Sequence, residues 1–250
     1  MYQEERLVKI LEYLNEHNSM SIHCICELLQ VSRDTARRDI LKLIEQKAAT
    51  RTHGGISLPS LQNTIKEYRQ RIKSYSQEKK LIAQKALEFI EESKHYFFDV
   101  STIVRSLAEE VHTNIWVFTH SLDNIEILSE KSEVNSNLLG GCLHHKNRFF
   151  YKPDCRNYFS DLRFDIAFLG AAAITMNGIY YVDEEDAFIK KSVVEKAAKV
   201  ILLAEYDKFK CSSYYRGITW EQIDIVISNQ MPPETFVEVM QANDIECIIV

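Results

Sequence analysis

Three arginines lie in the stretch Val31-Ser-Arg-Asp-Thr-Ala-Arg-Arg-Asp-Ile40, and a fourth begins the nearby stretch Arg51-Thr-His-Gly-Gly55. A guanidinium group donates paired hydrogen bonds to a phosphate or to the major-groove edge of guanine, so clustered arginines can bind nucleic acid when they share one surface. Helical spacing gives the first stretch two faces. The apolar face is formed by Ala36, Ile40, Leu43 and Ile44, and the residues pointing away from it are Asp34, Thr35, Arg38 and Lys42. This distribution is typical of a helix that lies in a groove.

Two shorter helical segments precede this stretch, and a predicted hairpin follows it. The first segment has its apolar stripe at Leu7, Ile10, Leu11 and Leu14. Ser21 can cap a second apolar segment that begins at Ile22. The run that starts at Thr50 favours a strand, and Gly54-Gly55 favours a tight turn. Taken alone, the arginine-bearing helix could be a surface helix with solvated charges. In this order, the elements predict a winged helix-turn-helix.

The polar residues of the predicted helix and hairpin have separate expected roles. Ser32 can cap the start of the helix and is counted among the DNA-binding residues, and Thr35 and Arg38 are expected to reach base edges in the major groove. Phosphate contacts are expected from Arg33, Arg37, Lys42 and Arg51. His53 is placed at the tip of the wing. The expected partner is therefore a double-stranded DNA operator.

The pattern from Val31 to Gly55, with a V-S-x-x-T-x-R-R-D core and a terminal H-G-G, resembles the DNA-binding domain of the DeoR family of bacterial transcriptional regulators. Three separate elements agree with the family in order and in spacing. This chain has Ala36 where family members usually carry a β-branched residue, and Lys47 or Ala48 where they carry a glycine. The resemblance implies a regulator that binds its operator through this segment.

The chain has 250 residues and a formal net charge of −6. That length accommodates a small domain followed by a medium-sized one. We expect a DNA-binding domain over residues 1–58, a polar linker over 59–76 and a larger domain over 77–250. Between Val31 and His53, six Lys or Arg residues stand against three Asp or Glu residues, a local balance of +3. Because the rest of the chain is acidic, DNA binding should be confined to this positive strip.

Composition argues against a membrane protein and against a metal site. The chain has no apolar run of about 18 residues or more, and its first residues are charged where a signal peptide would be apolar, so we expect a cytoplasmic protein without membrane contact. The six cysteines show no paired spacing and are expected to be reduced thiols. Cys142, His144 and His145 lack the further ligands of a metal corner. We therefore predict neither a metal nor a cofactor.

Beyond residue 77, helical stretches alternate with short, continuous apolar runs. The helical stretches are Glu78 to Glu92, Thr102 to Val111, Glu184 to Ala198 and Pro233 to Gln241. The apolar runs begin at Tyr96, Trp116, Ile166, Val200, Ile223 and Ile245. Continuous apolar runs suit parallel strands that are buried on both faces. The predicted fold class is therefore α/β, with an N-terminal winged helix-turn-helix domain followed by a larger, doubly wound α/β domain.

Ligands of such sheets bind at the carboxyl ends of the strands, where three segments of this chain carry suitable groups. Asp99-Val-Ser-Thr102 places hydroxyl and N–H groups where an anion could bind. Gly170 allows close backbone approach, and Lys208 supplies a cation. Ordinary structural roles stay open for each: a helix cap at Ser101 or Thr102, a turn at Gly170, and a solvated charge at Lys208. Their shared edge favours a small-molecule pocket.

The segment from about Glu78 to Asn229 resembles the effector domain of the same family, which shares its fold with ribose-5-phosphate isomerase and glucosamine-6-phosphate deaminase. The matching motifs are Asp99-Val-Ser-Thr-Ile103, Gly140-Gly-Cys-Leu143, Phe168-Leu-Gly-Ala-Ala-Ala-Ile174, Glu184-Glu-Asp-Ala-Phe-Ile-Lys190 and Leu203-Ala-Glu-Tyr-Asp-Lys-Phe209. The resemblance implies a pocket for a phosphorylated sugar that alters the affinity for DNA. It assigns effector binding to Asp99, Ser101, Thr102, Gly141, Gly170, Glu185, Lys190 and Lys208.

The phosphate loop departs from the family pattern. The family's D-S-G-T-T reads Asp99-Val-Ser-Thr-Ile103 in this chain, so Val100, Ser101 and Ile103 replace the serine, the glycine and the last threonine. The loop therefore offers fewer hydroxyl donors on a stiffer backbone. A changed or lost ligand therefore stays open as an alternative.

Two other functions also stay open. Enzymes of the related fold need a carboxylate after the strand that ends at Gly170, and this chain has Ala171, Ala172 and Ala173 there, which argues against catalysis. A DNA-binding adaptor whose second domain only oligomerises would not respond to phosphorylated sugars. We predict a homo-oligomeric repressor of sugar-metabolism genes that binds DNA and a phosphorylated sugar and catalyses no reaction.

Overall fold

The computed structural model describes residues 3–17, 19–45, 48–52, 54–57, 71, 76–152 and 158–250. The chain divides into two compact units, Met1–Ile65 and Lys66–Val250. The first contains a helix-turn-helix and a small antiparallel sheet, and the second is an α/β unit built around a parallel sheet. These architectures confirm the predicted fold class.

The amino-terminal unit has three helices and three short strands among its described residues. They are α1 (Gln3–His17), β1 (Ser19–Ser21), α2 (Ile22–Leu29), α3 (Arg33–Glu45), β2 (Thr50–Thr52) and β3 (Gly55–Ser57). The predicted cap of α2 is confirmed, because the Ser21 hydroxyl accepts the N–H of Cys24 at 3.1 Å. The strands pair in the order β1-β3-β2. The predicted hairpin therefore gains a third strand, β1, which the sequence pattern did not indicate.

One apolar core joins the three helices and the sheet of this unit. It contains Ile10, Leu14, Ile25, Ala36, Leu43 and Ile56, all of them fully buried. Ile40 is also buried and Ile44 packs against the same core, which confirms the predicted apolar face of α3. Burial of this face fixes which residues of α3 can meet a ligand.

The carboxyl-terminal unit alternates helices and strands. Its helices are α4 (Ser76–Leu87), α5 (Thr102–Glu110), α6 (Leu122–Ser129), α7 (Glu184–Val194) and α8 (Glu234–Ala242). Its strands are β4 (His95–Phe98), β5 (Ile115–Thr119), β6 (Val134–Leu138), β7 (Cys142–His144), β8 (Phe149–Tyr151), β9 (Phe164–Gly170), β10 (Ala173–Thr175), β11 (Gly178–Tyr181), β12 (Ala197–Ala204), β13 (Tyr215–Ile218), β14 (Ile225–Ser228) and β15 (Glu246–Ile249).

Seven of these strands form a parallel sheet in the order β15-β14-β12-β9-β4-β5-β6. Side chains alternate across it: Phe98 packs with α4 and α5 on one face, and Phe97 packs with α7 and α8 on the other. Helices therefore cover both faces, as a doubly wound sheet requires. Smaller antiparallel sheets join β7 to β8 and β10, β11 and β13 to one another.

Two sequence-based boundaries in this unit are wrong. Ala197 and Ala198 were assigned to a helix, but they lie in β12, where Ala197 pairs with Phe164 of β9. Alanine has the highest helix propensity, but helix propensity is a weak preference, and pairing with a buried strand overrides it. Glu88 to Glu92 lie beyond the end of α4 at Leu87. Among the described residues, no helix has the length and apolarity needed to cross a bilayer.

Candidate functional site

α3 presents an arginine-rich face opposite the side that it buries. Arg33, Arg37 and Arg38 are exposed on that face. Arg37 lies 3.6 Å from the Asp34 carboxylate, but their side chains are 66% and 82% exposed, so this pair restrains Arg37 only weakly. All three guanidinium groups can therefore reach a ligand outside the protein.

The first turn of α3 places two hydroxyl groups beside these arginines. The Ser32 oxygen accepts the N–H of Thr35 at 3.3 Å, which confirms that Ser32 begins the helix. The same oxygen lies 3.0 Å from the Thr35 hydroxyl. Both hydroxyl groups therefore lie at the start of the arginine-bearing helix.

Asp39 ties α3 to α1. Its fully buried carboxylate accepts from Arg6 through Nε at 2.6 Å and Nη2 at 3.0 Å, and from the Gln3 amide at 3.0 Å. The Gln3 side-chain oxygen in turn accepts from Lys42 Nζ at 3.2 Å. A bidentate guanidinium–carboxylate pair fixes both distance and angle, so this network sets how α3 packs on α1.

Sequence reasoning counted Asp39 among the acids of the positive strip and did not find its role. Its position is a signal that could have revealed it, because it lies three residues after Ala36 and four before Leu43, on the buried side of the helix. A buried carboxylate needs a cationic partner, and Arg6 provides it. The exposed acids of the strip are then Asp34 and Glu45.

β2 and β3 form the predicted wing, with Arg51 exposed on β2. Gly54 follows the wing tip with a φ of 99°, a conformation that favours glycine. A Cβ on Gly55 would lie 2.1 Å from the carbonyl oxygen of Met20, so only glycine allows β1 and β3 to approach. Both predicted turn glycines are thus confirmed. His53, the residue predicted for the tip, lies outside the described residues.

In the second unit, the carboxyl ends of β4 and β9 bring Asp99 and Gly170 together. Asp99 is fully buried, and its two carboxylate oxygens accept from the N–H of Ser101 at 2.8 Å and the N–H of Gly170 at 2.7 Å. The second oxygen also lies 2.9 Å from Lys190 Nζ. A Cβ on Gly170 would lie 2.3 Å from the Ser101 Cβ. Asp99 therefore holds this edge of the sheet together.

Lys190 of α7 is the centre of a buried charged cluster. Its ammonium lies 2.9 Å from both Asp99 and Asp186, and 3.8 Å from the ring centre of Tyr181. Asp186 also lies 2.9 Å from Nε2 of His120. Burial raises the pKa of Asp186, but the charge of Lys190 and the hydrogen bond with His120 outweigh it and lower that pKa to about 2.

The Lys190 ammonium is also held in its charged form. Burial lowers its pKa, while the charges of Asp186 and Asp99 raise it, and the net result is a pKa above the usual value for lysine. Lys190 and Asp186 are therefore both ionised at neutral pH.

Three polar atoms near this cluster are fully buried and have no hydrogen-bond partner among the described residues. They are Nδ1 of His120, Oδ1 of Asn124 and the hydroxyl oxygen of Tyr181. Asn124 is fixed by its own amide, which donates to the Asp99 carbonyl at 2.8 Å. An unsatisfied buried polar group costs about 1–3 kcal/mol. Several of them in one place are typical of a site that binds polar groups.

A second group of charges lies at the carboxyl end of β12. Lys79 of α4 is buried, lies 3.5 Å from the Glu205 carboxylate and donates to the Arg71 carbonyl. Burial lowers the pKa of Lys79, Glu205 raises it, and the positive charges of Lys208 and Arg71 lower it further. The positive charges of Lys208 and Arg71 therefore act on Lys79, and an anion bound beside Lys79 would relieve that repulsion.

The predicted effector residues take different places in these two groups. Lys190 belongs to the charged cluster, and Lys208 lies half-buried near Lys79. Ser101 is the N-cap of α5, where its hydroxyl accepts the N–H of Val104 at 3.3 Å, and Thr102 is the first residue of that helix. The cap that sequence reasoning offered as an alternative for Ser101 is thus present.

Glu185 and Gly141 stand apart from the charged cluster. Glu185 is half-exposed in the first turn of α7, and its neighbour Asp186 makes the contacts with Lys190 and His120. Gly141 has a φ of 106°, and a Cβ there would lie 2.4 Å from the Tyr151 carbonyl oxygen. Its glycine is explained by this turn geometry.

Sequence reasoning missed several polar residues of these two groups, namely Lys79, His120, Asn124, Tyr181 and Asp186. Asp186 had a usable signal, because it precedes Lys190 by four residues on the same helix, a spacing that pairs opposite charges. The others meet only through the order of the strands. Across the described ranges, no group of three or more His, Cys, Asp or Glu side chains could hold a metal ion.

Comparison with protein families gives two matches in this chain. The model for a DeoR-like helix-turn-helix domain matches residues 6–62, and the model for the DeoR C terminal sensor domain matches residues 74–230. The matches follow one another in the chain and together cover most of it.

The chain is also similar over its length to curated proteins. It is 37% identical over 250 residues to the HTH-type transcriptional repressor GlcR of Bacillus subtilis, covering 100% of this chain and 97% of that protein. It is 26% identical over 249 residues to the glycerol-3-phosphate regulon repressor of Escherichia coli, covering 98% of each. Among solved structures, ribose 5-phosphate isomerase A of Methanocaldococcus jannaschii matches 54% of this chain and 55% of its own, at 13% identity and a TM-score of 0.40.

Proposed function

The chain belongs to the DeoR family of DNA-binding transcriptional regulators, and from that premise we propose that it represses genes of sugar metabolism until a phosphorylated sugar binds its carboxyl-terminal unit. The observation that carries this proposal is the exposed arginine face of α3, opposite a fully formed core and beside a two-stranded wing. Such a face is the part of a winged helix-turn-helix that enters the major groove.

On DNA, Arg38 and Thr35 read base edges, and the flanking cations bind phosphates. Arg38 is exposed near the middle of α3, where its two donors can bond both major-groove acceptors of guanine. Arg33, Arg37 and Arg51 contact the backbone, which sets register without reading sequence. Lys42 shares its ammonium between Gln3 and a phosphate, so its contact also reports how α1 and α3 pack.

Operator recognition by this family of folds commonly uses two copies. We place one recognition helix of each protomer of a homo-oligomer in successive major grooves, with half-sites separated by about 34 Å or a multiple of it. Two half-sites of modest affinity then combine into one operator of high specificity.

The effector site has an anion-binding end and a polar end. Lys79 and Lys208 supply the positive charge that a phosphate group neutralises. The unpartnered atoms of His120, Asn124 and Tyr181 supply hydrogen-bond partners for sugar hydroxyl groups. A phosphorylated sugar matches both ends, whereas inorganic phosphate matches only the first.

The charged cluster is better suited to binding than to catalysis. A general base works best with a pKa near the working pH. Lys190 and His120 instead lower the pKa of Asp186 to about 2. The raised pKa of Lys190 likewise keeps its amine protonated and unable to attack a carbonyl. Ala171, Ala172 and Ala173 place no carboxylate after β9. Assays with aldose and ketose phosphates should therefore give no turnover above background.

The experiment that tests this function combines two readouts on the full-length protein. Selection from random double-stranded DNA identifies the operator, and fluorescence anisotropy then measures affinity for it. Thermal shift measures binding of ribose 5-phosphate, glucose 6-phosphate, glycerol 3-phosphate and inorganic phosphate; a ligand at about 100 times its Kd adds about 2.7 kcal/mol of stability. Arg38→Ala should relax the selected sequence at one base pair. Lys9→Ala, which removes an exposed cation from α1, is the matched control. Operator binding with no response to any sugar phosphate would favour an adaptor.

A further inference from the structure

Arg71 connects the two ends of the effector site. Its guanidinium donates through Nη2 to Oδ1 of Asn147 at 3.0 Å, and its carbonyl accepts from the ammonium of Lys79. Asn147 is buried in the turn between β7 and β8, and its amide donates to Oδ2 of Asp183 at 2.6 Å. Lys79 belongs to the anion-binding end, and Asp183 directly precedes α7, which carries Lys190. Arg71 therefore touches Lys79 directly and is linked to Asp183 through Asn147.

Asp183 occupies an unusual place in this chain of contacts. It is the N-cap residue of α7, and aspartate at that position normally accepts an N–H of its own helix. In the part of the chain that the structure describes, its side chain makes no such bond. Its two oxygens instead face Asn147 and, at 3.5 Å, Nε2 of His144. Asp183 therefore has two alternative sets of partners within reach, the Asn147 side and the first turn of α7.

Lys79 also has alternative partners. Its ammonium donates to the Arg71 carbonyl and lies beside Glu205, and an anion bound beside Lys79 and Lys208 would be a third acceptor. An anion bound at the anion-binding end would draw the Lys79 ammonium away from the Arg71 carbonyl. A ligand hydroxyl bonded near Lys190 would shift α7 and the Asp183 at its start. Each change acts on a contact of Arg71.

Chain order gives Arg71 its further significance. It lies in the second unit, after the amino-terminal unit and before α4 in chain order, so the covalent path from DNA binding to effector binding runs through it. We propose that Arg71, through Asn147 and Asp183 on one side and Lys79 on the other, is the positioning residue that transmits occupancy of the effector site to the DNA-binding unit. This inference rests on the proposed function, because it needs an effector that changes operator affinity.

The test separates ligand binding from operator release. Arg71→Ala removes the bond to Asn147 but keeps the carbonyl that accepts from Lys79, and Asn147→Ala breaks the same link from the other side. Lys80→Ala is the matched control, because Lys80 is an exposed cation next to Lys79 on α4. For each full-length variant, anisotropy gives operator affinity with and without the sugar phosphates named above, and thermal shift gives their binding.

Wild type and Lys80→Ala should lose about tenfold or more in operator affinity when the active sugar phosphate is added. Arg71→Ala and Asn147→Ala should bind operator and sugar phosphate within about threefold of wild type, yet lose less than about threefold in operator affinity on its addition. Hydrogen exchange should also rise in the β7–β8 turn and the first turn of α7, but not in α8.

Two results would overturn the role of Arg71 and leave the proposed function intact. The first is full release of operator from both variants, and the second is loss of sugar-phosphate binding in Arg71→Ala, which would make Arg71 a ligand contact. A wild type that keeps its operator affinity with every phosphate would instead refute the proposed function and the role of Arg71 with it.

Discussion

The buried pair of Arg6 and Asp39 predicts an asymmetry between two truncations. Asp39 is completely buried, whereas the Arg6 side chain is 14% exposed and can turn its guanidinium to water. Arg6→Ala leaves a buried carboxylate with only the Gln3 amide and should cost about 3–5 kcal/mol. Asp39→Ala leaves a cation that can be solvated and should cost about 1–3 kcal/mol. The double variant should be more stable than Arg6→Ala alone.

These costs are large for a unit of this size. A unit of about 65 residues has a total stability of about 3–10 kcal/mol, so Arg6→Ala should leave an appreciable unfolded fraction at 37 °C. Operator affinity should fall with it, because α3 is presented correctly only in the folded unit. Lys9→Ala, on the exposed side of α1, should change stability by no more than about 0.5 kcal/mol.

Hydrogen exchange of α3 amides in the full-length protein measures these opening free energies directly, since it reports on each unit separately. From the highest to the lowest opening free energy, we expect wild type first and Arg6→Ala last, with Asp39→Ala and the double variant between them in either order. If Asp39→Ala is the more destabilising single change, or if the two costs simply add, then the pair does not act as described.

Three further predictions concern the arginine-bearing face of α3 and the charged cluster. Arg38→Ala should weaken operator binding by about 1–3 kcal/mol and relax preference at one base pair, whereas Lys42→Ala should weaken matched and scrambled DNA alike; equal behaviour of the two would refute the assignment of Arg38 to a base. Tyr181→Phe removes a buried, unpartnered hydroxyl, so unfolding in urea should show unchanged stability or a gain of up to about 1 kcal/mol, while sugar-phosphate affinity falls; lower stability with unchanged affinity would argue against this hydroxyl as a ligand contact. Folding lowers the pKa of Asp186 from 3.8 to about 2. The contribution of its charge to the free energy of unfolding is therefore complete above the unfolded pKa and is lost as pH falls through about 2. Wild type should therefore lose stability between pH 4 and pH 2 more steeply than Asp186→Asn, and parallel curves would contradict the ion pair with Lys190.

Much of the DNA-binding unit could be predicted because its signals are local. The cap at Ser32, the apolar face of α3 and the glycines of the wing all lie within a few residues of the structure that they specify. Asp39 and Arg6 are 33 residues apart, and nothing nearby in the sequence indicates their partnership. The parallel strands at the centre of the sheet could also be predicted from the sequence, because burial on both faces requires continuous apolar runs.

The edge of the sheet was harder to predict for a physical reason. β6 has the sequence Val-Asn-Ser-Asn-Leu and lies at the end of the strand order, where one side has no neighbouring strand among the described residues and polar residues are favoured. The effector site poses the opposite difficulty. Its residues have ordinary local roles, and only the strand order brings Asp99, His120 and Lys190 into one cluster.

One titration tests the central claim most directly. Wild-type protein at a concentration that half-saturates labelled operator is titrated with glucose 6-phosphate, ribose 5-phosphate, glycerol 3-phosphate or inorganic phosphate while anisotropy is recorded. We predict that at least one sugar phosphate releases the operator by about tenfold or more in Kd, and that inorganic phosphate releases it far less. Protein that binds no DNA sequence in preference to scrambled DNA, or that holds its operator unchanged through every titration, would contradict the account.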